Sequence, residues 1–211
     1  MKLLILGASG RTGQHLVKQA LAAGHQVTAL VRTPEKLDVK DDALTIVQGD
    51  VTDAAAVTRA VAGNEVVLSA LGPTRTSSDD MLQTAIGNTI AAMQENSMRR
   101  VIVVTGAGVS DPNDNPQFWN RIMSGLLNLL AKRVLADSLG AANLLRASDL
   151  DWTLVRVPVL TDDPSAGEPW VGYVGKGMGS RIPRADVAAF MLKQVADDTW
   201  VRKSPVITSQ G

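Results

Sequence analysis

The sequence predicts an α/β chain, a doubly wound parallel sheet with helices on both faces. Three features carry that expectation. Short runs rich in Val, Ile and Leu alternate with longer helical patterns from residue 2 to residue 157, the rhythm of strands joined by crossover helices. Most of the short runs are apolar throughout rather than alternating, as strands covered on both faces require. A glycine-rich turn lies between the first apolar run and the first helical pattern.

Taken in order, strands are expected at Lys2–Leu6, Gln26–Val31, Leu44–Val47, Glu65–Ser69, Arg100–Thr105 and Trp152–Val157. Leu16, Val17, Ala20 and Leu21 form the stripe of a first helix that Gly24 ends. Asp53 suits the cap of a second, which carries Ala54, Val57, Ala60 and Val61 and closes at Gly63. Met81, Leu82, Ala85, Ile86, Ile90 and Met93 mark a third, and Ile122 to Leu145 a long, interrupted fourth. From Pro158 to Pro183 the chain is punctuated by Gly167, Gly172, Gly175, Gly177, Gly179, Pro164 and Pro169. That density predicts a loop or small hairpin over the carboxyl ends of the strands. A helix at Ala185–Ala196 and a last strand at Ser204–Thr208 follow. With no repeat or linker, residues 1–211 are expected to form a single domain, with 158–183 as a small substrate-side region.

Composition narrows the function. The 211 residues balance 21 Lys and Arg against 21 Asp and Glu, which leaves no electrostatic footprint for nucleic acid or an anionic membrane. The chain has no cysteine, which excludes disulfides, a thiolate nucleophile and cysteine-built metal sites. His15 and His25 are its only histidines, so no metal is expected. Leu3 to Leu6 is shorter than the roughly 7–15 apolar residues of a secretory leader, and no apolar run reaches membrane-spanning length. A cytoplasmic protein with a small-molecule partner is the expectation, and the sequence is silent on oligomeric state.

The strongest chemical signal is Gly7-Ala8-Ser9-Gly10-Arg11-Thr12-Gly13. Between a strand and a helix, Gly7 permits the tight turn, Gly10 close approach of a pyrophosphate and Gly13 packing of helix on sheet. The N–H groups from Ser9 to Thr12 would face phosphate at the positive end of the helix dipole. After the second strand the chain places Arg32 where an acidic residue would hold a ribose 2′-hydroxyl. A guanidinium there suits a 2′-phosphate, with Arg11 expected to reach the same side, so NADP (NADPH) is favoured over NAD. The competing reading makes Arg32 a solvated charge at a strand end. Asp50 and Val51 are expected beside the adenine, Ala70, Leu71 and Gly72 beside the ribose and pyrophosphate, and Thr105 and Pro158 near the nicotinamide.

These residues, with Val101–Gly106, Leu145–Thr153, Arg156 and Ile182–Ala188, resemble the atypical short-chain dehydrogenase/reductases. The likeness is to the NAD(P)-binding group of biliverdin/flavin reductase-like and redox-sensor proteins. It spans nearly the whole chain and implies a Rossmann-type fold. The family's catalytic Tyr and Lys, four residues apart on the helix after the fifth strand, are missing. The one tyrosine, Tyr173, lies in the Gly-rich region with Lys176 three residues on, and it reads as a pocket or surface residue. In the long helix the candidates in place of that pair are Arg121, Lys132 and Arg133, with Asp137 and Ser138 further on, and Lys132, after an apolar run, reads as a helix charge at the solvent edge rather than a catalytic group. No catalytic residue is assigned, and Arg156 either pairs inside the sheet edge or meets a substrate. Phe118, Trp119 and Trp170 either stack on a planar acceptor or pack.

Hydride transfer to a conjugated acceptor of flavin or quinone type takes its proton from water and needs no such tyrosine. The leading expectation is therefore an NADP(H)-dependent oxidoreductase of that kind. A catalytically silent NADP(H)-binding redox sensor or regulator is the alternative, and a sugar-nucleotide epimerase or dehydratase comes third.

Overall fold

In the computed structural model, residues 1–74, 76–115, 131–175 and 177–210 are described. Strand β1 (Lys2–Leu6) is hydrogen-bonded on one side to β2 (Gln26–Val31) and on the other to β4 (Val66–Ser69), all parallel. β3 (Leu44–Gln48) extends the sheet beyond β2, while β5 (Arg100–Gly106) and β6 (Asp151–Val157) extend it beyond β4. With β10 (Val206–Thr208) and β8 (Trp170–Gly172), the order is β3-β2-β1-β4-β5-β6-β10-β8. The chain leaves β1 toward one edge and returns at β4 toward the other, so the carboxyl ends of β1 and β4 flank a switch point, where open α/β sheets bind ligands.

Helices cover both faces. α1 (Arg11–Ala22) packs beside α5 (Arg184–Lys193) on one, and Leu16, Val17, Val187 and Met191 bury against Leu3, Ile5 and Ile102. On the other, α2 (Ala54–Val61), α3 (Met81–Glu95) and α4 (Ala131–Ala147) bury Val57, Ile86, Met93 and Leu145 against Leu4, Val67 and Leu154. The alternation along β1, with Leu3 and Ile5 on one face and Leu4 and Leu6 on the other, shows why the run is apolar throughout.

Carboxylates cap two of the helix starts, one from next door and one from a distance. Asp53 accepts the Ala55 N–H at 2.9 Å and caps α2. α3 is capped from a distance: the Leu82 and Gln83 N–H groups donate to the two oxygens of Asp137 on α4, each at 2.9 Å. Asp137 is therefore a buried carboxylate that fixes α3 to α4.

The region 158–183 departs from the sequence reading. It contains three short strands, β7 (Val159–Thr161), β8 and β9 (Arg181–Pro183). β7 pairs with β9 in parallel, and β8 joins the main sheet antiparallel to β10. Each has three residues, too few for a periodicity to show. Arg156 anchors this side of the molecule. Fully buried on β6, it donates two-pronged bonds to Asp114 at 2.7 and 2.8 Å and further bonds to the Val109 and Ser204 carbonyls. Asp114 also accepts from the Val174 N–H at 3.0 Å. Of the two readings of Arg156, the structure supports pairing within the fold.

Candidate functional site

A cleft of about 280 Å³ runs along the carboxyl ends of β1, β2, β3 and β4. One end is the glycine turn. Gly7 has φ +76°, and a side chain there would come within 2.8 Å of the Ala70 carbonyl oxygen, so glycine is what lets the ends of β1 and β4 meet. Gly13 has its own reason: a Cβ would sit 2.0 Å from the Gly7 oxygen. Gly10 differs from both. Its φ of −73° and ψ of 163° are open to any residue, and the only heavy atom near an added Cβ is the Gly7 oxygen at 3.2 Å. Gly10 starts α1, which has neither a side-chain cap nor an acidic residue in its first turn. That end of the cleft is left with the partial positive charge of the helix.

The other end is cationic. Arg32, at the end of β2, and Lys36, in the 3-10 turn Pro34–Lys36, both line the cleft. Arg32 lies 3.7 Å from Asp50, with half of its side chain exposed. Asp50 also accepts from the Thr52 N–H at 2.9 Å and hydroxyl at 2.8 Å. Burial opposes its charge, but the Thr52 bonds and Arg32 outweigh that and hold its carboxyl below the usual carboxylate range.

Nine of the residues singled out from the sequence line this one cleft: Gly7, Ser9, Gly10, Arg32, Asp50, Val51, Ala70, Leu71 and Gly72. Five do not. Thr12 is buried, and Gly13 packs against the Gly7 backbone. Thr105 lines a separate small cavity, and Pro158 lies between β6 and β7. Arg11, expected beside Arg32, instead donates to Asp162 at 2.7 Å. The fold brings Asp162, distant in sequence, beside the turn, and Asp162 also accepts from Arg184 at 2.7 Å, so one carboxylate draws together the starts of α1 and α5. The attraction of both guanidiniums outweighs burial and holds Asp162 below the usual carboxylate range.

Sequence reasoning missed Thr33, Lys36, Thr74, Ser77 and Met81, which also line the cleft. Lys36 had a signal, a second cation in the Pro-initiated turn after Arg32; the 72–81 connection had none. Tyr173 stands away from the cleft, edge-on to Trp200 at 6.1 Å. Burial, with Asp111 nearby, pushes its phenol above the usual value. Phe118, Trp119, Arg121 and Lys176 lie outside the described residues, as does the Lys132 side chain. No helix among the described residues is long and apolar enough to cross a membrane.

Comparison with known proteins agrees with this geometry. The chain is similar to a short-chain dehydrogenase/reductase from Veillonella parvula, solved in complex with NADP, with 23% identity and a TM-score of 0.78 over 100% of this chain and 95% of that one. It is also similar in fold to the anaerobillin reductase ChuY of Escherichia coli, at 20% identity and a TM-score of 0.77 over 99% and 97% of the two chains. In sequence it is 33% identical over 94 residues to an isoflavone reductase homolog of Zea mays, covering 40% of this chain and 30% of that protein. The matches span 30 to 61% of the length of the first curated relatives. The profile of an NAD(P)H-binding family matches residues 7–198, and the chain belongs to that NAD(P)H-binding family.

Proposed function

We propose that the chain binds NADP(H) in the cleft and reduces a small planar or conjugated acceptor, of flavin or quinone type, by hydride transfer. The observation that carries this reading is one cleft with an uncapped helix start at the Gly7–Gly13 turn and Arg32 with Lys36 at its far end. The residues present fit a dinucleotide. A side chain at Gly10 would project into the space that a pyrophosphate needs, and the N–H groups at the start of α1 would receive its charge. Arg32 and Lys36 would take a 2′-phosphate, with Asp50 and Val51 beside the adenine and Ala70, Leu71 and Gly72 beside the ribose. Thr105 and Pro158, at the ends of β5 and β6, would border the nicotinamide. When bound, the cofactor supplies the hydride; the chain holds and orients it and keeps the reacting edge dry. The NADP in the Veillonella structure and the reductases among the relatives support the reading.

Titration calorimetry with NADPH and NADH tests the cofactor, and steady-state oxidation of NADPH across flavins and quinones tests the reaction. Tighter NADPH binding with turnover of at least one such acceptor is the expected result. A second reading, a catalytically silent NADP(H) sensor, is favoured by the Arg11–Asp162–Arg184 bridge, which ties the glycine turn to the 158–183 region. It predicts NADPH-dependent change in hydrogen exchange over residues 162–167 without turnover.

A further inference from the structure

The end of β4 leaves a polar atom stranded. Ser69 is 1% exposed, and its hydroxyl oxygen has no hydrogen-bond partner, a state that buried hydroxyls rarely tolerate. It lines a cavity of about 20 Å³ between β4, β5 and the helices α3 and α4, which Thr105 and Ser138 also line. The strand register explains the convergence. Ser69 pairs with Val103 across β4 and β5, and Thr105, two residues on, returns to the same sheet face, toward the helix that carries Ser138. Among the described residues, neither the Thr105 nor the Ser138 hydroxyl has a protein hydrogen-bond partner, and, unlike that of Ser69, neither is wholly sealed from solvent. The other walls are apolar, and one of them, Leu71, also lines the cleft.

An internal water needs about 10–15 Å³ and two to four polar partners, and this cavity offers both. We infer that Ser69, Thr105 and Ser138 hold a single internal water, and that this water stands behind Thr105 as the proton store for the reaction. The water site follows from the cavity alone; its role rests on the reduction proposed above. Hydride addition carries two electrons to the acceptor and oxidises the reduced nicotinamide, leaving the acceptor one proton short. The Thr105 O–H bond breaks as its proton passes to the acceptor anion, and an O–H bond of the internal water breaks to restore Thr105. A solvent proton entering past Leu71 restores the water. Thr105 acts as a shuttle rather than an acid, which suits a chain without the tyrosine and lysine pair.

The test begins with a high-resolution crystal structure of the protein without cofactor. One ordered water within hydrogen-bond distance of all three hydroxyl oxygens is expected, absent in the Ser69→Ala, Ser138→Ala double variant; an empty cavity in the parent would overturn the site. Single-turnover oxidation of NADPH by a soluble quinone, in H₂O and D₂O, tests the role. Ser138→Ala should slow the proton-dependent step about tenfold and change its solvent isotope effect, with NADPH affinity unchanged and Ser138→Thr restoring the rate. Unchanged rate and isotope effect in a folded Ser138→Ala would overturn the role, and should Ser69→Ala fail to fold, Ser138→Ala carries the test alone. A parent that transfers hydride from NADPH to none of the flavins and quinones tried defeats the reduction and the proton role with it, while the density still decides the water.

Discussion

Three glycines in one turn do three different jobs, and alanine at two of them separates cofactor binding from folding. Gly10 occupies extended backbone open to alanine, and its new Cβ would meet only the Gly7 oxygen, at 3.2 Å. Losing glycine's preference at a helix start costs about 1 kcal/mol, while the less flexible unfolded chain returns about 0.4–1 kcal/mol. Gly10→Ala should therefore be as stable as the parent to within about 1 kcal/mol, which for a chain of this size is roughly 2–4 °C in melting temperature. Gly13→Ala puts its Cβ 2.0 Å from the Gly7 oxygen and 2.8 Å from the Ala8 Cα. Backbone must part to admit it, at no less than the roughly 1–3 kcal/mol of an overpacked core. Paired melting curves and NADPH titrations check both. Gly10→Ala should keep its melting temperature and lose at least about tenfold in NADPH affinity, roughly 1.4 kcal/mol. Parent-like affinity in Gly10→Ala would show that the turn is a structural corner only, and a Gly13→Ala as stable as the parent would refute the packing argument.

Arg32→Ala should weaken NADPH by about 1.5 kcal/mol, the low end for a charged hydrogen bond because Arg32 is half exposed, and leave NADH unchanged; equal losses for both in calorimetry would sink the 2′-phosphate assignment. Asp114→Ala strands the buried Arg156 and should cost about 3 kcal/mol in urea denaturation. Burial opposes the Asp114 charge, but Arg156 and the Asp111 and Val174 N–H groups hold its carboxyl below the usual range. Its contribution is thus complete above the unfolded value near ~4 and fades as pH falls through the folded one, so Asp114→Asn should flatten the acid limb of a melting-temperature profile. Tyr173→Phe, away from the cleft and free to keep its edge contact with Trp200, should lower turnover less than about tenfold; a thousandfold loss with normal cofactor binding would restore a tyrosine-dependent mechanism.

The sheet was legible because its inner strands, β1 and β4 above all, are wrapped on both sides and so written as apolar runs, while the exposed edge strand β3 still carries Leu44, Ile46 and Val47. The glycine turn was legible because close backbone approach admits few alternatives to glycine. What escaped the sequence are long-range partners. Asp137 and Leu82 stand 55 residues apart, and nothing near either marks their bond. Arg11 was placed beside Arg32 because the turn faces that way, but the fold pairs it with a carboxylate 151 residues on. The 158–183 region was read as a loop or small hairpin from its glycines and prolines, yet Val174 donates its N–H to Asp114, β7 pairs with β9 in parallel and β8 closes the sheet edge. Shortening 165–179 would therefore damage the fold as well as any cover over the site.

This placement bears on how binding and chemistry are divided. The nine cleft residues lie in the segments that follow β1, β2, β3 and β4, whereas Thr105 and Pro158 lie one and two strands further along the same edge. Leu71 stands at the join, with the cleft on one side and the Ser69–Thr105–Ser138 cavity on the other. The cleft half is held by a backbone turn that favours glycine at Gly7. The far half is held by polar bonds between distant segments, Arg156 to Asp114 and Asp162 to both Arg11 and Arg184. A ligand shifts such a contact only by the difference in its affinity for the two arrangements. Cofactor charge arriving at the start of α1 would compete with Asp162 for Arg11, so a response to binding should appear first at Asp162 and the segment that follows β7.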